Sequence, residues 1–141
     1  MELANWNEWS EWQKLSPCPL EVPVGCGAYI IATRIAIHRA VGIDTEGILD
    51  IGESKNLCGR IKSFIACANG RRPRGHMAGW RYKQYEFEKH FPLDTLFIRW
   101  HPTQTKEEAY AIEGKILQTY LIQHKELPPL NYKFNWPQYA E

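Results

Sequence analysis

The spacing of apolar positions changes several times along the chain, and each change marks a different element. From Ala28 to Ile37 the run AYIIATRIAI is rich in β-branched and apolar residues, as is GILDIG from Gly47 to Gly52, so both read as strands. Between them HRAVGIDTE carries a glycine and an Asp-Thr pair that suit a long hairpin tip, which makes an antiparallel pair the simplest arrangement. Period 3.6 then takes over. Leu57, Ile61, Phe64, Ile65 and Ala68 form one helical stripe, with Ser54 placed to cap it and Gly70 to stop it. Arg60 lies beside that stripe, on the face of Asn56 and Phe64. The Gly- and Pro-containing stretch from Asn69 to Gly79 predicts a loop, and a short helix follows through Tyr82 to Lys89. Asp94–Trp100 reads as a third strand between Pro92 and Pro102. Thr105 and Glu108 form a capping box for a long helix through about Gln123, whose inward positions are Ala109, Ile112, Ile116 and Tyr120.

Ahead of this block, Trp6, Trp9 and Trp12 recur every three residues, which fits a short helix with an aromatic stripe. Such a stripe either docks onto the domain or offers a platform for stacking bases. Pro17, Pro19 and Pro23 predict an extended connector after it. The expected organisation is therefore a Trp-rich segment over residues 1–23 and a compact domain over 24–141. Its predicted class is mixed α+β, a small and mainly antiparallel three-stranded sheet in ββαβα order, with an extra helix before strand three.

A length of 141 residues with 44% apolar content suits one globular domain. No apolar run approaches the roughly 20 residues that span a bilayer. The opening Met1-Glu2-Leu3-Ala4-Asn5-Trp6 has no basic and apolar leader, so the expected location is cytoplasmic rather than secreted. Cys18, Cys26, Cys58 and Cys67 lack CxxC or zinc-ribbon spacing and read as thiols in a reducing compartment. A net charge of +1 does not by itself announce a nucleic-acid partner, so the distribution of charge has to be considered.

Three features stand out chemically. Glu113 borders the apolar face of the last helix, where a carboxylate needs a basic partner or a metal ion. Tyr29 sits early in the first strand beside Gly27, where packing is its ordinary role. Arg71, Arg72, Arg74, His76, Arg81 and Lys83 cluster around Trp80 and Tyr82, a mixture that suits a phosphate backbone with stacked bases and also occurs on solvated surfaces.

Taken in order, these pieces resemble the GIY-YIG nuclease domain. Gly27-Ala28-Tyr29 matches its first motif, and Asp50-Ile51-Gly52 matches its second with the tyrosine replaced. Arg60 falls eight residues after Gly52 within a GxxxxLxxR-like helix start, while Glu113 in AYAIEGKIL and Asn131 in LPPLNYK match the two remaining positions. The resemblance spans roughly Val24 to Tyr132.

The resemblance implies a DNA endonuclease, with RNA left open as a substrate. It implies Mg²⁺ or Mn²⁺ on Glu113, phosphate contact by Arg60, a Tyr29 that orients or deprotonates the attacking water, and an Asn131 that holds the site together. Asp50 is the departure. Strand parity puts it on one side with Ile48 and Gly52, where it can replace the second tyrosine as a hydrogen-bond acceptor, join Glu113 as a second metal ligand, or mark a site that no longer cleaves. Two rival readings follow: a nucleic-acid-binding module without turnover, and a protein-interaction domain that uses the Trp stripe. With little room for a further domain, the expectation is a loose sequence preference, a dimer, or recognition through the segments His38–Glu46 and Asn69–Gly79.

Overall fold

A computed structural model describes residues 8–131. The fold is mixed α+β, with three α-helices, a four-stranded antiparallel sheet and a separate two-stranded sheet among the described residues. The elements are β1 (Gln13–Lys14), β2 (Gly27–Ala32), β3 (Ile37–His38), β4 (Ile43–Asp44), β5 (Ile48–Ser54), α1 (Leu57–Ala68), α2 (Met77–Gln84), β6 (Phe97–Pro102) and α3 (Lys106–His124). The main sheet runs β1-β6-β2-β5, and β3 pairs with β4 at the tip of the β2–β5 hairpin. No helix among the described residues is long and apolar enough to cross a membrane.

All six residues of β2 are buried, because helices cover both faces of the central strand. This is why its sequence reads as a continuous apolar run rather than an alternation. Tyr29 and Ile31 pack with Leu57, Ile61, Phe64, Ile98 and Trp100 on the α1 and α2 side, whereas Ala28, Ile30 and Ala32 pack with Ile116, Leu117 and Tyr120 of α3.

Several expectations are corrected. The sheet has four strands rather than three. Its extra strand comes from the segment expected to be a Trp-bearing helix and a connector. Residues 9–12 lie outside any helix, because the segment finds backbone partners along β6 and just before it: the Ser10 N–H donates to Trp100 O at 2.8 Å, and farther on the Leu15 N–H donates to O of Leu96, which precedes the strand, at 3.1 Å. Leu15 and Val22 are buried in the core. Trp9 packs against the α3 side of the sheet, and Trp12 lies under the guanidinium groups of Arg34 and Arg99 at 4.8 and 5.2 Å. Trp6 falls outside the described residues.

Helix boundaries shift for identifiable reasons. Asn56, rather than Ser54, caps α1 by accepting the Gly59 N–H, and Ser54 Oγ accepts the Asn56 N–H one step upstream. α2 ends at Gln84 instead of running to Lys89, since Glu86 turns left-handed at φ 58° and only a 3₁₀ turn, Phe87–Lys89, follows. Strand three also starts later than expected, at Phe97, because Leu93–Thr95 is a 3₁₀ turn. The Thr105 cap holds as read, with its hydroxyl accepting the Glu108 N–H.

Two polar devices fix the frame around β5. The buried Asp44 carboxylate accepts the N–H groups of Glu46, Gly47 and Ile48 and the hydroxyl of Tyr120, tying the hairpin tip to α3. On the outer edge of β5, Asn131 imitates a neighbouring strand: its Oδ1 accepts the Ile51 N–H at 2.9 Å, and its Nδ2 donates to Ile51 O at 2.8 Å. Asn131→Ala should cost about 1–3 kcal/mol in denaturant unfolding, since two half-buried β5 backbone groups lose their partner. A change within error would show that water replaces the amide without loss.

Candidate functional site

The site grows from the close approach of β2 and β5. Tyr29 stands opposite Gly52 in the register, and a Cβ on residue 52 would lie 2.4 Å from the Tyr29 ring carbon Cζ and from its hydroxyl. Only glycine leaves room for that ring. The ring therefore lies across β5 and brings its hydroxyl to Asp50 Oδ2 at 3.2 Å. Asp50 pairs with Ile31 and shares the Tyr29 face, as parity predicts. Ile48 does not. A register shift between Ile31 and Ala32 moves Ile48 into the α3-side core.

His76 completes this cluster. It caps α2, with Nδ1 accepting the Gly79 N–H at 3.2 Å, while Nε2 lies 2.8 Å from the Tyr29 hydroxyl. A ring nitrogen that accepts cannot carry a proton, so Nε2 is the protonated one and donates to Tyr29. Phe64 packs edge-on against the imidazole at 5.1 Å. His76 is 3% exposed, which corrects its grouping with the outward cations of the loop. α2 can approach this closely because Gly79 meets α1 at Phe64 and Cys67, where a Cβ would come within 2.8 Å of Phe64 O.

The electrostatics follow from burial. Tyr29, Asp50 and His76 are 1%, 3% and 3% exposed. Burial, then the neighbouring Asp50, holds the Tyr29 phenol well above its usual value. Burial lifts Asp50 to about 6, although the Tyr29 hydroxyl, Arg60 and Arg81 pull it back. His76 falls to about 3, first through burial and then through Arg60, so it is neutral at ordinary pH.

Arg60 and Glu113 border the same cluster from two sides. Arg60 projects from α1 and donates from Nη1 to Gly75 O at 2.9 Å, close enough to Tyr29 to favour its ionised form. Glu113 comes from α3, on the opposite side of the sheet, and is half-buried. Its carboxyl is pushed to about 8 by burial, then by Glu53 and Asp50, with Lys106 and Arg60 opposing. Lys106 itself pairs with Glu53 at 2.9 Å. Tyr29, Asp50, Arg60 and Glu113 thus share one electrostatic neighbourhood. Asn131 braces the Ile51 backbone, one residue along from Asp50.

The basic residues divide. Arg71, Arg72 and Arg74 are exposed, and Arg81 and Lys83 are half-buried, with Arg81 near enough to Asp50 to lower its pKa. Arg71 and Arg72 are positioned by Asn69 and Ser63 respectively. From the sequence His76 reads as a phosphate or structural contact rather than a metal ligand; the structure shows a buried structural contact, and its reach to Tyr29 escaped sequence reading. Its available signal was a residue able to cap a helix, placed three before Gly79. No protein-family model, curated protein or solved structure matches this chain.

Proposed function

We propose that the chain is a metal-dependent DNA endonuclease of the GIY-YIG type. The observation that carries this reading is the hydrogen-bonded Tyr29–Asp50 pair, with Arg60 held beside it by Gly75 and a neighbouring loop that exposes three arginines; Glu113 bears on the pair through charge from the other side of the sheet. Phosphodiester hydrolysis needs charge neutralisation at the phosphoryl oxygens and an oriented water. Arg60 supplies the fixed cation. The exposed arginines supply backbone attraction.

Glu113 is the residue that would hold Mg²⁺ or Mn²⁺. The fit rests on donor chemistry: Glu113 is a half-buried carboxyl, a hard oxygen donor, with Glu53 and Asp50 near enough to act on it and Lys106 and Arg60 opposing them. Among the described residues no three His, Cys, Asp or Glu side chains form a group able to hold a metal, so water and phosphate oxygens would complete the shell. When bound, the cation supplies Lewis-acid polarisation of the phosphate. Asp50 is occupied by Tyr29, which favours its reading as a hydrogen-bond acceptor over that of a second ligand.

Incubating the full chain with supercoiled plasmid and labelled single-stranded DNA, in Mg²⁺, Mn²⁺ or EDTA, tests the proposal. Nicking that needs metal is expected. A second reading is favoured by the enclosure of the Tyr29 hydroxyl, which suits a binding module without turnover. It requires DNA binding with no cleavage in any metal. Under either reading, the double variant Arg71→Ala with Arg72→Ala should weaken DNA binding several-fold and reduce the slope of log K against log salt by about 1–2. An unchanged slope would remove the loop from the interface.

A further inference from the structure

We infer that His76, Tyr29 and Asp50 form a one-way proton relay in which His76 is the positioning residue and Asp50 the terminal acceptor. The inference rests on the nuclease reading and extends it to a residue that the motif resemblance does not include. The direction of the relay comes from the hydrogen-bond chain. The Gly79 N–H donates to His76 Nδ1, the Nε2–H donates to the Tyr29 hydroxyl oxygen, and the Tyr29 proton is left to point at Asp50 Oδ2. Each link restricts the next, because a neutral imidazole has one donor and one acceptor and a phenol has one proton.

This arrangement meets a difficulty in using Tyr29 alone as the base. A phenol held well above its ordinary pKa, beside a carboxylate, resists ionisation. A concerted shift avoids the phenolate. Once a water is admitted to the Tyr29 oxygen, which is enclosed in this structure, the water O–H bond breaks and its proton bonds to that oxygen as the Tyr29 O–H bond breaks and that proton bonds to Asp50 Oδ2. The hydroxide attacks phosphorus, and the departing 3′ oxygen takes a proton from solvent. Charge is conserved, with the negative charge of Asp50 passing to the hydroxide. The burial that raises Asp50 to about 6 brings it nearer the range in which a general base works at neutral pH. The charged and titratable groups around it are Tyr29 of β2, Arg60 of α1, Arg81 and the capping His76 of α2, and Glu113 of α3.

One isosteric substitution, one shortened side chain and one spectroscopic reading separate the relay from a packing role. In Asp50→Asn the amide oxygen still accepts from Tyr29 but cannot take its proton, so kcat should fall about 10²–10⁴-fold with KM little changed. His76→Asn keeps an oxygen that can cap α2 but is too short to reach Tyr29, so kcat should fall about 10-fold or more, with some loss of thermal stability from the space the buried ring leaves. Long-range ¹H–¹⁵N NMR of the folded full chain should report His76 as the Nε2–H tautomer at neutral pH. An Nδ1–H or doubly protonated ring overturns the relay whether or not the protein cleaves DNA. If the wild type cleaves and Asp50→Asn cleaves equally well, the relay falls and the nuclease reading stands. A wild type that never cleaves sinks the nuclease reading and the catalytic use of the relay with it, and the tautomer then reports only a structural chain.

Discussion

Glu113→Ala is expected to abolish metal-dependent nicking, with a loss of at least about 10²–10³-fold, while leaving the metal-free protein as stable as the wild type or more so at pH 8. Most substitutions at a half-buried position destabilise, so a gain would be diagnostic. The reason lies in the titration of the carboxylates. Glu113 is raised from its usual 4.5 to about 8, and Asp50 from 3.8 to about 6, so between these values the folded chain binds more protons than the unfolded one. Stability then falls as pH rises, from about 4 to about 8. Removing Glu113 takes away its share of that fall, which runs from about 4.5 to about 8 and is the whole of it above about 6. Thermal unfolding at pH 5 and pH 8, with and without Mg²⁺, measures both halves of the prediction. The wild type should lose stability between the two pH values and regain some with Mg²⁺ at pH 8, whereas Glu113→Ala should show a smaller loss and no response to the ion. Equal nicking rates, or identical pH and Mg²⁺ responses in the two proteins, would remove Glu113 from the centre of the site.

Local chemistry was readable from the sequence wherever one element decides it. The Thr105 cap, the α1 stripe and the continuous apolar run of β2 each need only neighbours within a few residues or burial on both faces. Parity also put Asp50 on the same side of its strand as Gly52, and the register that sets Gly52 opposite Tyr29 makes this the Tyr29 side. Ile48 escaped the same rule because one register shift reverses every position beyond it. The edge strand β1 was hidden for another reason. Its partners on β6 are more than 80 residues away, and tryptophans spaced by three look helical until a sheet edge offers their backbone other donors and acceptors. His76 was masked by its company. In a run of cations it reads as one more positive charge, and only tertiary packing by Phe64 and Gly79 makes it buried, neutral and directed at Tyr29. The approach of Glu113 from the opposite face is likewise a property of how α3 packs across the sheet, which no local pattern specifies.

Gly52→Ala should be the most disruptive single-methyl change around the site, and Gly25→Ala supplies its control. At residue 52 the added Cβ would sit 2.4 Å from both Cζ and the hydroxyl of Tyr29, well inside any tolerable contact. The ring has little room to retreat, since Tyr29 is 1% exposed and its core neighbours include Phe64, Trp100 and Leu57, while its hydroxyl is engaged by Asp50 and His76. Close-packed interiors resist such insertions, at a cost of about 1–3 kcal/mol. The larger consequence is chemical, because relief of the clash must move the hydroxyl away from at least one of its two partners. A displacement of about 1 Å in a reacting group can cost about 10²-fold in rate. At residue 25 an added Cβ meets nothing within 4 Å, so that alanine should leave both stability and nicking near wild type. Denaturant unfolding and plasmid nicking on the two variants give the comparison. If Gly52→Ala matched Gly25→Ala in both assays, the Tyr29 ring could not be held across β5 as described, and neither the alignment of Tyr29 with Asp50 nor the chemistry drawn from it would survive.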